Sequence, residues 1–134
     1  MKKVLFIFSI ASLIISCQVL AQQQDLFDNT FLVPLEKSIT KAGVTITLAA
    51  VLEDSRCPRN ITCMWEGKAV VELNVRKPGQ ESQKMTVVFQ NQSQSIIAST
   101  KHNVFTALRL LPYPGDSGNN TAYQLEVATT KNNK

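Results

Sequence analysis

Side chains alternate with a period of two through most of this chain, and that constrains its fold more than any other feature. In VTITLAAVLE, Val44, Ile46, Leu48, Ala50 and Leu52 share one face, while Thr45, Thr47 and Glu53 take the other. In CMWEGKAVVELNVR the odd positions Cys63, Trp65, Ala69, Val71, Leu73 and Val75 are mostly apolar. The even positions Glu66, Lys68, Glu72, Asn74 and Arg76 are charged or polar. Met85, Val87 and Phe89 alternate with Thr86 and Gln90, and Tyr123, Leu125 and Val127 alternate with Gln124 and Glu126. NVFTALRLL is ambiguous in phase; placing Val104, Leu108 and Leu110 inside leaves Arg109 outside. No window beyond the N-terminal segment sustains a helical period. Turn formers separate the alternating runs, as in KPGQESQ (77–83) and PYPGDSGNN (112–120). The pattern predicts an all-β domain of about six to seven strands with one disulfide, a small antiparallel β-sandwich or alternatively a small β-barrel.

The ends set the compartment. Lys2 and Lys3 precede an apolar run from Val4 to Ile15, the length of a signal-peptide core and too short to span a bilayer. Val19-Leu20-Ala21 suits signal peptidase, which makes 1–21 a signal peptide. Alternatively, Ile14-Ile15-Ser16-Cys17 fits a lipoprotein box, with Cys17 as the lipidation site and the only route to a membrane. Residues 22–30 read as a flexible leader, 31–128 as a single β domain and 129–134 (TTKNNK) as a disordered tail. The expected location is periplasmic or secreted, or else lipid-anchored to the outer membrane. Three Asn-x-Ser/Thr tripeptides, at Asn60, Asn91 and Asn119, carry little meaning in a bacterium.

Export resolves the cysteine count. Cys17 leaves with the signal or is consumed by lipid, so of the three cysteines Cys57 and Cys63 remain as the pair, expected as a disulfide outside the cytoplasm. Two cysteines and one histidine cannot build an ordinary four-ligand zinc site, and no metal or cofactor is expected. A soft copper site from Met64, Met85 and His102 is set aside because Met85 is placed in the core. Without Lys2 and Lys3, 12 of the 14 Lys and Arg face 10 Asp and Glu, a net charge of +2 with no basic run. Nucleic-acid binding therefore has no electrostatic footprint.

The segment DSRCPRNITCMWEG (54–67) stands apart from this regularity. If a continuous strand runs from Cys63 to Arg76, parity aims both Cys63 and Trp65 at the core. Burial of the indole would then contribute about 2–3 kcal/mol. The ring closed by Cys57–Cys63 would add ~2.4 kcal/mol in the chain-entropy model. Residues Pro58, Arg59, Asn60, Ile61 and Thr62 are too many to bury in so tight a ring. With Arg56 and outward-facing Met64 they make the candidate binding loop, stiffened by Pro58.

The pattern Asp-x-Arg-Cys-Pro-x4-Cys-x-Trp-x-Gly, here Asp54, Arg56, Cys57, Pro58, Cys63, Trp65 and Gly67, resembles one found in small exported bacterial proteins often labelled lipoproteins. Pro112-Tyr113-Pro114 before a final Tyr-led strand is similar too. The resemblance covers little more than a tenth of the chain; it implies export and the Cys57–Cys63 clip and says nothing of a substrate.

Catalysis needs convergent titratable groups, and no catalytic residue is nominated. His102 reads as a solvated loop residue. Glu53 and Asp54 are adjacent on a strand and so point to opposite faces. No serine lies in a nucleophile elbow and no glycine loop cradles phosphate. The leading expectation is a non-catalytic exported β domain binding a protein or other envelope component through residues 56–64. The alternatives are a small extracellular protease inhibitor with Arg59 as bait residue, and a hydrolase of unassigned specificity.

Overall fold

The computed structural model describes residues 29–116 and 122–132. The expected signal peptide 1–21 with Cys17, the expected leader up to residue 28, the tripeptide at Asn119 and residues 133–134 lie outside them. Eight strands form: β1 (Thr30–Pro34), β2 (Ser38–Lys41), β3 (Val44–Asp54), β4 (Ala69–Arg76), β5 (Gln83–Phe89), β6 (Ser95–Ser99), β7 (Asn103–Leu111) and β8 (Gln124–Lys131). They make two four-stranded antiparallel sheets, ordered β1-β8-β7-β6 and β2-β3-β4-β5. Neither sheet closes on itself, so the fold is a sandwich and not a barrel.

The inner faces supply one core. Val44, Ile46, Leu48, Val71 and Leu73 of one sheet meet Val33, Phe105, Ala107, Leu125 and Val127 of the other, all fully buried. Predicted inward positions in β4, β5 and β8 hold. The count exceeds expectation by one because β1, β2 and β6 are only four or five residues long. Strands that short carry little alternation to detect.

Bulges account for the misplaced side chains. Register shifts in β3 fall between Leu48 and Ala50 and between Val51 and Glu53. Each inserts one residue and flips the following side chains to the other face. Val51 therefore packs on the core while Leu52, expected inside, is 56% exposed. A shift between Ala107 and Arg109 does the same in β7. Phe105, Ala107 and Leu110 are buried, whereas Val104 and Leu108, both expected inside, are only half-buried.

The expected tail is also shorter. Residues 129–131 belong to β8, where Thr129, Thr130 and Lys131 pair with Phe105, Val104 and Asn103. At the other end Thr30, expected in the leader, opens β1, and the Asn29 carbonyl accepts the Thr129 N–H at 2.9 Å. Thr129 is buried, and its hydroxyl is the one buried side-chain polar atom among the described residues without a hydrogen-bond partner. An orphaned hydroxyl costs about 1–3 kcal/mol. Thr129→Val keeps the shape and removes the orphan, so it is expected to raise stability by about 1 kcal/mol. Calorimetry should show a Tm increase of roughly 4–8 °C.

Candidate functional site

The second bulge in β3 returns the strand to its original parity and turns Asp54 inward, opposite Ala69. Arg56, two residues on, lies on the same side. Its Nε donates to Asp54 Oδ1 at 2.7 Å and one terminal nitrogen to Oδ2 at 2.8 Å, a bidentate pair. The side chains are only 7% and 10% exposed. Two of the three other guanidinium protons go to backbone at the end of β7, the Leu110 carbonyl at 2.7 Å and the Pro112 carbonyl at 3.0 Å. The Tyr123 hydroxyl donates to Asp54 Oδ2 at 3.0 Å. The guanidinium carbon lies 4.8 Å from the centroid of the Tyr113 ring. Asp54, Arg56 and Tyr123 thus share one hydrogen-bonded cluster, with the Tyr113 ring against its guanidinium.

Strand pairing explains why a guanidinium belongs there. β6 ends opposite Ala107, so the end of β7 has no strand beyond it on that side. Arg56 supplies the N–H donors that a neighbouring strand would otherwise bring to Leu110 and Pro112. The expectation that Arg56 sits on the surface of a binding loop is therefore corrected: it is buried, 9% exposed, and holds the two sheets together.

The segment 55–68 leaves this base as an arm. The Ser55 N–H bonds to the Lys68 carbonyl at 2.8 Å and the Cys57 N–H to the Glu66 carbonyl at 3.1 Å, which prolongs the β3–β4 pairing beyond the strands. Cys57 and Cys63 form the expected disulfide, with Cα atoms 5.9 Å apart. Such a bond fits an oxidising compartment. The ring is fastened to the 112–116 segment as well. The Arg59 N–H bonds to the Pro114 carbonyl at 3.1 Å, and the Arg59 guanidinium lies over Tyr113 and 3.4 Å from Asp116 Oδ1. A side chain on Gly115 would press against Arg59, Asn60 and Pro58, at 3.0–3.3 Å.

Parity fails between Cys63 and Ala69. β4 begins only at Ala69, and Gly67 is in the left-handed region with φ +68°. A Cβ there would sit 1.8 Å from the Ser55 carbonyl oxygen, so only glycine allows the two arms of the loop to approach. The chain turns at Gly67 and no continuous strand carries the phase back to Cys63. Trp65, expected in the core, is 77% exposed, and Cys63 faces solvent with it. The 2–3 kcal/mol expected from indole burial is not gained.

The candidate residues consequently divide. Arg56 is structural and Pro58 half-buried, whereas Arg59, Asn60, Ile61, Thr62 and Met64 are exposed. Met64 is 95% and Ile61 57% exposed, and with Trp65 they are the large apolar side chains that the tip of this loop leaves exposed. Glu53 and Asp54 do point apart, with Glu53 outside and 3.5 Å from Lys68 Nζ. His102 is exposed in the turn before β7, at the opposite end of that strand. Sequence reading missed Asp54, Tyr113 and Tyr123 as members of one cluster. The signal was present, since Asp54 and Arg56 continue the even-numbered inward positions of β3.

Burial would raise the Asp54 carboxyl, but the hydrogen bonds and charge of Arg56, together with the Tyr123 hydroxyl, outweigh it and hold the group below the ordinary carboxylate range. Burial, and then the adjacent Asp54, push the Tyr123 hydroxyl above its ordinary value. Because the folded Asp54 value is the lower, its contribution to stability is present above the unfolded value, about 3.9, and disappears as pH falls through the folded value. The Tyr123 contribution is present below about pH 10 and disappears as pH rises through the raised folded value. Asp54→Asn should cost about 3 kcal/mol at neutral pH by leaving Arg56 buried without its counter-charge. It should also flatten the acid limb of a Tm–pH profile, and Tyr123→Phe the alkaline limb. Reduction of Cys57–Cys63 should lower Tm by roughly 10 °C in calorimetry, from a ring entropy worth ~2.4 kcal/mol. No protein-family model matches the chain, and no curated protein or solved structure matches it.

Proposed function

We propose that this protein is an exported, non-catalytic binding module that engages a protein partner of the bacterial envelope through the tip of the 57–66 loop. The observation that carries the reading is the exposure of Ile61, Met64 and Trp65 together on one disulfide-clipped loop. Clustered exposed apolar side chains on a soluble domain mark contact surfaces. Trp and Met are enriched where partners meet, and Trp often anchors such contacts. Rigidity adds to the argument, because a ring already fixed by the disulfide and by Arg59 loses little entropy on binding. The tip is available because the structural work is done at its base.

The ionisable groups support a non-catalytic role. Asp54 is committed to Arg56, Glu53 to Lys68, Glu72 to Lys84 and Glu126 to Arg109, and His102 takes part in none of these pairs. Among the described residues, no three His, Cys, Asp or Glu side chains gather as a metal site. Arg59 as a protease bait has less support. Its side chain is folded over Tyr113 and paired with Asp116, whereas a bait residue must project freely. The disulfide and the charged, then apolar, N-terminal segment support export, with Cys17 as the lipid anchor if that route is used; the resemblance in the 54–67 motif supports the same compartment.

In an envelope extract, the full chain as processed by its host should retain a partner that Trp65→Ser combined with Met64→Ser loses. The Tm of that variant should stay within about 2 °C of the parent, as for exposed substitutions. Equal retention by parent and variant would remove the tip from the account.

A further inference from the structure

Beside the arm lies a cleft of about 700 Å³, bounded by Glu66 and Gly67, by the end of β7 and by the β5–β6 connection. That volume is in the range of ligand sites. We propose that this cleft binds a neutral, polyhydroxylated ligand, a segment of a glycan chain. The inference goes beyond the proposed partner contact at the tip and does not depend on it.

The wall contributed by the β5–β6 connection is built from amides. Gln90, Asn91, Gln92 and Gln94 all line the cleft together with Ser93, whose hydroxyl accepts from the Gln90 N–H and donates to the Val88 carbonyl. A primary amide offers both a donor and an acceptor within one planar group, which matches neighbouring hydroxyls that also donate and accept. The turn that presents these groups is closed by the Ser93 N–H on the Gln90 carbonyl at 3.0 Å. Its two central residues, Asn91 and Gln92, have φ of 52° and 56°. Asn tolerates that conformation; at Gln92 glycine would be the unstrained residue. Gln92, one of the residues lining the cleft, is thus held against its backbone preference, the kind of outlier that clusters at binding sites.

Charge and hydrogen bonding weigh against the other ligand classes. The cleft is lined by three arginines, each already partnered: Arg56 by Asp54, Arg59 by Asp116 and Arg109 by Glu126. An anion would share Arg59 and Arg109 with their carboxylate partners, which lowers its gain. A cation would meet Glu66 as the one lining carboxylate outside those ion pairs. A peptide strand adding to the β7 edge would find the Leu110 and Pro112 carbonyls occupied by Arg56. An apolar ligand would bury the amides unpaired, which is costly. A neutral hydroxyl-rich ligand satisfies the wall and leaves the ion pairs intact.

The test is titration of the full chain, purified as its host processes it, with cellohexaose, chitohexaose, maltohexaose and xylohexaose, and with a sulfated hexasaccharide as the anionic probe. At least one neutral oligosaccharide should bind with a Kd below about 1 mM. Gln92→Gly, which relaxes the turn and removes the amide, should keep or raise Tm while weakening binding at least about fivefold. Gln94→Ala should weaken it similarly, and Trp65→Ser should leave it unchanged, which separates this site from the tip. The proposal is overturned if none of the neutral oligosaccharides binds below about 1 mM. Binding of the sulfated probe alone, or affinity that survives both glutamine substitutions, overturns it equally.

Discussion

The bidentate pair between Asp54 and Arg56 is the interaction on which this end of the molecule depends. Two sheets of a sandwich are held mainly by their apolar faces, and these run out where β7 has lost its β6 neighbour. At that point one guanidinium reaches from the end of β3 to the carbonyls of Leu110 and Pro112 across the gap. A buried charge in such a place is tolerable only if paired and fully hydrogen-bonded. Asp54 supplies the pairing, the carbonyls take two further donors, and Tyr123 fills an acceptor site on the carboxylate. An apolar replacement of similar size could hold the layers equally well in energy. It could not cap two strand-edge carbonyls, so the polar solution fixes which backbone meets which.

That anchoring decides the character of the loop above it. Three fastenings lie between the base and the tip: the Cys57 to Glu66 backbone bond, the disulfide, and the Arg59 N–H on Pro114. The close approach of Gly115 to Pro58 and Asn60 adds a fourth point of contact. A loop carrying tryptophan, methionine and isoleucine would ordinarily fold over to cover them. Here the fastenings hold the backbone out, and the apolar side chains stay in water at the free-energy cost of their hydration.

How much of this was legible varies with local regularity. β4 and β8 read directly because the bulges in their ladders put the extra residue in the partner strands β3 and β7, so the alternation of Ala69, Val71, Leu73 and Val75 survives intact. β3 was legible only up to its bulges and β7 only past its own, since an inserted residue leaves no mark in a composition pattern; Leu52, Val104 and Leu108 are the result. Tryptophan 65 was misplaced for a related reason. Parity was extended through Gly67, and a glycine in the left-handed region breaks phase without altering the apolar count around it. The cleft was not legible at all, because its walls come from three separate connections that only the packing of the sheets brings together.

The division of labour within the 54–67 motif follows from these contacts. Asp54 and Arg56 bridge the sheets, Cys57 and Cys63 clip the ring, Pro58 packs toward Gly115, and Gly67 lets the arm close on Ser55. Each of those residue types is required by a contact that a substitution would break. Trp65 is different: at 77% exposure, no described contact explains why the largest side chain in the alphabet stands where serine or lysine would cost less. Stability does not select an exposed indole. A surface that must bury it on meeting something else does, and that asymmetry between Trp65 and its six motif neighbours is why the proposed contact surface centres on it.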